Sequence, residues 1–107
     1  MTRRFALMID PAAADVARSD FADTFTLVDA AAPALSVGEL STQRGDGVFE
    51  SIGVIDGHAQ EVVPHLERLA HSAQLCALPL PNQAQWHQAI ERAVSYTHLT
   101  LPTNREV

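Results

Sequence analysis

The cationic side chains of this 107-residue chain are seven in number and all are arginines: Arg3, Arg4, Arg18, Arg44, Arg68, Arg92 and Arg105. Lysine is absent. Chemistry that needs a side-chain amine to form a Schiff base is therefore closed to these residues. Anion recognition is not. On a helix turning ~100° per residue, His65, Arg68 and Ser72 fall within about 60° of one another. Three hydrogen-bonding groups so placed can grip an anion. Arginine suits a phosphate best, because its planar fork donates two parallel bonds. The plainer alternative is a solvated face on which Arg68 pairs with Glu67 or Glu61, an arrangement worth little.

A second feature is the run Val48 to Ile55, VFESIGVI. Alternation along a strand puts Phe49, Ser51, Gly53 and Ile55 on one face and Val48, Glu50, Ile52 and Val54 on the other. The first face sets an aromatic ring beside two positions of almost no bulk, leaving a shallow space in which a planar ligand could lie. The alternative is that Gly53 admits a neighbouring backbone or marks a bulge. The histidines, His58, His65, His71, His87 and His98, have no metal-site spacing, and Cys76 has no cysteine partner. We expect no metal. Cys76 also falls on an apolar helix stripe with Leu66, Leu69 and Ala73, the place of a small core residue.

These side chains need elements to hold them. Arg3 to Ile9 and Thr24 to Val28 read as strands. Residues 10–23 read as loop or short helix, and 30–36 as a connection. Gly45-Asp46-Gly47 is a turn signal ahead of strand 48–55. Asp56-Gly57 then makes a tight hairpin with His58 to Val63. Pro64 opens a helix to Ala77, ended by Pro79 and Pro81. Asn82 caps a second helix with Trp86, Ile90 and Val94 on one side and Glu91 and Arg92 on the other. The outcome is a single α+β domain. A net charge of -6 and the lack of any basic run argue against nucleic acid as a partner. No stretch reaches the length of a membrane span. The lone cysteine fits a reducing compartment.

The last residues break the pattern. Ser95 to Val107 (SYTHLTLPTNREV) is threonine-rich and shows no helix or turn logic. Val94 to Thr103 resembles the in-frame translation of a transposon-type sequencing-library adapter. We therefore divide the chain into a domain over residues 1–94 and a non-native tail over 95–107.

Two motifs taken together resemble a known family. Arg44-Gly45-Asp46-Gly47-Val48-Phe49-Glu50-Ser51 is similar to the G-D-G-x-F-E signature of the class IV (fold-type IV) pyridoxal-phosphate enzymes. His65-Leu66-Glu67-Arg68-Leu69 with Ser72-Ala73 is similar to their H-x-x-R-L-x-x-S-A helix. The resemblance covers Thr24 to about Val94, roughly the first third of a family member. It implies the family's N-terminal domain, an antiparallel sheet with packed helices. It implies pyridoxal 5'-phosphate as cofactor, with Arg68 holding the phosphate in a cleft that strand 48–55 helps to wall. Phe49 would line the substrate side of the pocket, with Ser51, Gly53 and Arg44 beside it. Branched-chain aminotransferases usually carry a tyrosine where this chain has Arg44 and tend to carry an arginine at Gly53. Ser51-Ile52-Gly53-Val54 and Leu78-Pro79-Leu80-Pro81 look more like 4-amino-4-deoxychorismate lyases of folate synthesis.

The resemblance thus implies a cytoplasmic lyase that forms 4-aminobenzoate and pyruvate, homodimeric when intact. The alternatives are a branched-chain or D-amino acid aminotransferase, or a non-enzymatic α+β binding module using the Phe49 face. No catalytic residue is assigned, since the family's lysine lies in a second domain. The chain is expected to be a truncated, inactive N-terminal portion.

Overall fold

Two short antiparallel pairings and two helices make up the computed structural model, which describes residues 5–29, 31 and 47–100, the side chains of 97–100 excepted. Strand β1 (Phe5–Ile9) pairs antiparallel with β2 (Phe25–Asp29), Leu7 opposite Leu27 and Ile9 opposite Phe25. Branched, aromatic and long apolar side chains favour this pleated surface. Strand β2 runs one residue later than the sequence reading. Between the strands, residues 10–21 are turn and irregular chain, followed by one turn of 3-10 helix at Ala22–Thr24.

The Asp-Gly signal holds. Strand β3 (Val54–Ile55) and β4 (His58–Ala59) pair with Val54 opposite Ala59 and Ile55 opposite His58. Asp56 and Gly57 both take positive φ, 52° and 76°, as a primed two-residue turn requires. The strands are much shorter than expected, however. Residues 48–53 have strand-like composition but form no strand. A strand exists only where a neighbour completes its ladder, and here pairing ends with the Gln60 N–H donated to the Gly53 carbonyl. The second strand also stops early, at Ala59 rather than Val63. Glu61 sits at φ 55° and turns the chain out of the hairpin into a helix.

That helix, α1, spans Val62–Leu75, two residues ahead of the expected Pro64–Ala77 at both ends. Pro64 still lies in the first turn, where a missing N–H costs nothing. At the other end Ala77 takes φ 56°. The Leu78 N–H donates to the Ala73 carbonyl at 2.8 Å and the Ala77 N–H to that of Gln74 at 3.2 Å. This is the double bond pattern of a left-handed helix stop. Leu66 and Ala73 are buried as expected, but Cys76 is exposed. Cys76 is the C-cap, where φ and ψ leave the helical path, so the stripe's period no longer places it.

Helix α2 spans Gln83–Thr100. Asn82 caps it, its Oδ1 accepting the Gln85 N–H at 3.0 Å. Trp86, Ile90 and Val94 are half-buried; the fully buried positions are Gln85 and Ala89. The helix continues through residues 95–100, which the sequence reading treated as having no helix logic. Propagating a formed helix fixes one residue per bond gained, so weak helix formers can follow a strong start. Tyr96 also meets Phe5 edge-on, ring centroids 4.6 Å apart.

The face of α2 near its N-terminus reads the backbone of the β1–β2 connection through amide side chains. Gln85 Oε1 accepts the Ala12 N–H, and its Nε2 donates to the Asp10 carbonyl and to Thr24 Oγ1. Asn82 Nδ2 donates to the carbonyls of Ala13 and Val16. Gln88 accepts the Phe21 N–H and donates to the Ser19 carbonyl. The connection thereby seats Phe21, fully buried, at the centre of a small core with Leu66, Ala73 and Ala89.

Candidate functional site

Helix α1 carries His65 and Arg68 one turn apart, and the segment before β3 brings Glu50 to them. His65 Nδ1 lies 2.8 Å from Glu50 Oε1. Arg68 Nε donates to both Glu50 oxygens, at 3.2 and 3.1 Å. Arg68 Nη2 lies 3.0 Å from His65 Nδ1. A carboxylate can only accept, so His65 Nδ1 carries the proton and donates it to Glu50. The same nitrogen then cannot accept from Arg68, and the 3.0 Å approach is a contact rather than a third bond. The Glu50 side chain is 18% exposed and that of His65 19%, while Arg68 remains 60% exposed. The His65 hydrogen bond, and after it the charge and hydrogen bond of Arg68, hold the Glu50 carboxyl below the usual carboxylate range. Partial burial works the other way and loses.

The sequence reading had Arg68 pairing, if at all, with Glu67 or Glu61; its partner is Glu50. Glu50 was not among the expected site residues. The signal for it was present: alternation puts this one carboxylate on a face otherwise made of Val48, Ile52 and Val54, where it needs a cation. Phe49 points away and is 85% exposed. Ser51 and Gly53 are exposed too, and a side chain at Gly53 would meet nothing within 4 Å. The shallow space beside Phe49 is thus an open surface. The hydrogen bonds that Arg68 makes go to Glu50, with His65 in contact, and not to Phe49, Ser51 or Gly53. Arg44 lies outside the described residues. Val48 does wall a cleft, but this cleft lies on the apolar side of α1, with Leu69, Ala73, Leu78 and Trp86, and does not include Arg68.

Comparison with known proteins bears on what this arrangement is for. No protein-family model matches the chain. Among solved structures, the fold IV transaminase CpuTA1 of Curtobacterium pusillum superposes with a TM-score of 0.75 at 40% identity, covering 90% of this chain and 32% of that one. Among curated proteins, the bifunctional aminodeoxychorismate lyase / D-amino acid transaminase of Mycobacterium tuberculosis is 48% identical over 61 residues, which is 57% of this chain and 21% of that enzyme. These likenesses support reading the chain as part of a class IV pyridoxal-phosphate enzyme. The chloroplastic D-amino-acid transaminase of Arabidopsis thaliana is 38% identical over 53 residues, 50% of this chain and 14% of that protein. The chain therefore spans about a fifth or less of the curated relatives it matches. The α+β architecture is that of the fold IV enzymes, as the motifs implied.

Relatives in the class IV family depend on pyridoxal phosphate. The residues of this chain fit one end of that cofactor and not the other. Arg68 offers an anion a permanently charged guanidinium, held at Nε by Glu50 on a side chain that is more than half exposed. The aldehyde end needs an amine, and the chain has no lysine to supply it.

Proposed function

We propose that these residues form the phosphate-gripping part of a class IV pyridoxal-phosphate lyase. Its reaction would convert 4-amino-4-deoxychorismate to 4-aminobenzoate and pyruvate. The observation that carries this reading is the 48% identity over 61 residues to an enzyme whose name includes that lyase activity. The Ser51-Ile52-Gly53-Val54 and Leu78-Pro79-Leu80-Pro81 runs support it. Within this part, Arg68 would donate to the cofactor phosphate, and Phe49 would present a flat apolar surface to the substrate, with Ser51, Gly53 and Arg44 at its margin. When bound, pyridoxal phosphate supplies a conjugated ring that accepts electron density from the substrate. No residue here holds the cofactor covalently, so the 107 residues alone are expected to be inactive. The same reading takes residues 1–94 as the domain, 95–107 as a tail of other origin, a cytoplasmic site and a homodimer for the whole enzyme. No helix among the described residues is long and apolar enough to cross a membrane.

A second reading is favoured by the same relative's other activity and by the plant enzyme: transamination of D-amino acids. One assay separates the two. The protein encoded by the full reading frame around these residues is given aminodeoxychorismate, or a D-amino acid with 2-oxoglutarate. Pyruvate release in the first supports the lyase. Amino transfer in the second, without pyruvate release in the first, overturns it.

A further inference from the structure

The Glu50 carboxylate is placed where simple electrostatics would not put it. A negative charge against the one arginine read as an anion donor lowers the local potential and should weaken binding of a phosphate. Yet Glu50 is half-buried, accepts from two different side chains, and faces α1 from a segment that forms no strand. We propose that Glu50 is a positioning residue. It clamps Arg68 at Nε and His65 at Nδ1, so that the guanidinium is held in one orientation, with Nη2 beside His65 and Nη1 left to meet a phosphate. The inference rests on the reading of Arg68 as the phosphate donor.

The geometry gives the reason. The guanidinium offers its donors in a rigid planar fork, so fixing Nε fixes where the two terminal nitrogens point. A free arginine side chain loses considerable rotamer freedom when an anion captures it. An arginine already held at Nε has lost most of that freedom on folding. His65 completes the clamp. Its Nδ1–H donates to Oε1, which Arg68 Nε also reaches, while Oε2 accepts from Arg68 Nε, so the carboxylate is held from two side chains. Glutamine is a weaker replacement for glutamate here. Its one oxygen could still accept from both donors, as Oε1 does, but it carries no charge, and its amide nitrogen would face the Arg68 Nε–H that Oε2 now accepts. Orientation and charge therefore make opposite predictions for Glu50→Gln. If charge dominates, losing the carboxylate tightens phosphate binding. If positioning dominates, it weakens it.

The test uses the 107-residue chain and inorganic phosphate. Affinity is read by NMR titration, and the clamp is read separately from the Arg68 Nε–H signal and from the tautomer of His65. The wild-type chain should show a slowly exchanging Arg68 Nε–H and, where the imidazole is neutral, a protonated Nδ1. Glu50→Gln should speed exchange of that Nε–H and weaken phosphate binding about tenfold, the usual scale for losing a hydrogen bond to a charged group. Its backbone amide spectrum should stay dispersed. Glu50→Asp should keep the charge and recover part of the Nε–H protection, which a mere loss of folding would not allow. Unchanged or tighter phosphate binding by Glu50→Gln, with Arg68→Ala abolishing it, overturns the positioning role and leaves Arg68 as the anion donor. Phosphate binding untouched by Arg68→Ala overturns the reading of Arg68 itself, and the inference falls with it. A wild-type Nε–H that exchanges as fast as that of Glu50→Gln overturns the clamp directly.

Discussion

A carboxylate that meets both a histidine and an arginine binds its own stability to pH. The Glu50 pKa is depressed in the folded chain, first by the His65 hydrogen bond and then by Arg68. Its contribution is therefore complete above the unfolded carboxylate value, about 4.3, and disappears as pH falls through the lower folded value. The urea midpoint of the wild-type chain is expected to exceed that of Glu50→Gln at pH 7, and the gap should close in the acid range below about 4. The direction matters more than the size, since Arg68 is well exposed to solvent. A gap that widens on acidification would contradict the ionised assignment. The three residues differ in how far the sequence revealed them. Helical spacing alone brought His65 and Arg68 to one face. Glu50 comes from fifteen residues upstream of His65 through a segment whose path no local rule fixes.

At the level of elements, the turn and cap chemistry was legible because it is local. Asp56-Gly57 and Asn82 do what their residue types demand. Ala77 does something its residue type does not favour. It takes the left-handed position just past the Cys76 C-cap, which glycine fills without strain. Ala77→Gly should therefore stabilise the chain, by up to about 1 kcal/mol, read as a higher urea midpoint. What the sequence could not display was the amide network on α2. Gln85 looks like any surface glutamine in a helix, yet it is fully buried and holds Asp10, Ala12 and Thr24, more than sixty residues away. Only tertiary contact gives it that role. Gln85→Leu keeps apolar volume but strands the Ala12 N–H, so a loss of about 2–3 kcal/mol is expected. Gln85→Glu keeps the acceptor and loses both donated bonds, and should be no better. Equal stability of Gln85→Leu and wild type would show that the network contributes nothing. The mistaken length of strand 48–55 has a related cause: composition marks a segment as fit for a sheet but does not supply the neighbouring strand.

The described residues enclose less interior than the composition promises. Nearly half its residues are hydrophobic, 47%, yet among the described residues the buried apolar side chains are Phe21, Leu66, Ala73 and Ala89. Phe49, Leu75, Ile55 and Val63 are each more than half exposed. A chain of this size buries a modest fraction of its surface at best, and every large apolar group left outside lowers the margin further. The relatives offer a setting in which such surface would be covered, since this chain matches 32% of the fold IV transaminase and 21% of the mycobacterial enzyme. On its own the chain should therefore associate. Sedimentation velocity is expected to show an average mass that rises with concentration in the micromolar range and falls in moderate urea before α1 and α2 melt. Phe49→Ser combined with Leu75→Gln removes two of the most exposed apolar groups and should shift the distribution towards monomer. Neither residue contributes to the buried core, so helix content should be retained. A wild-type chain that stays monomeric at high concentration and unfolds in one sharp transition would mean that the small core suffices and that the exposed apolar groups have no partner to seek.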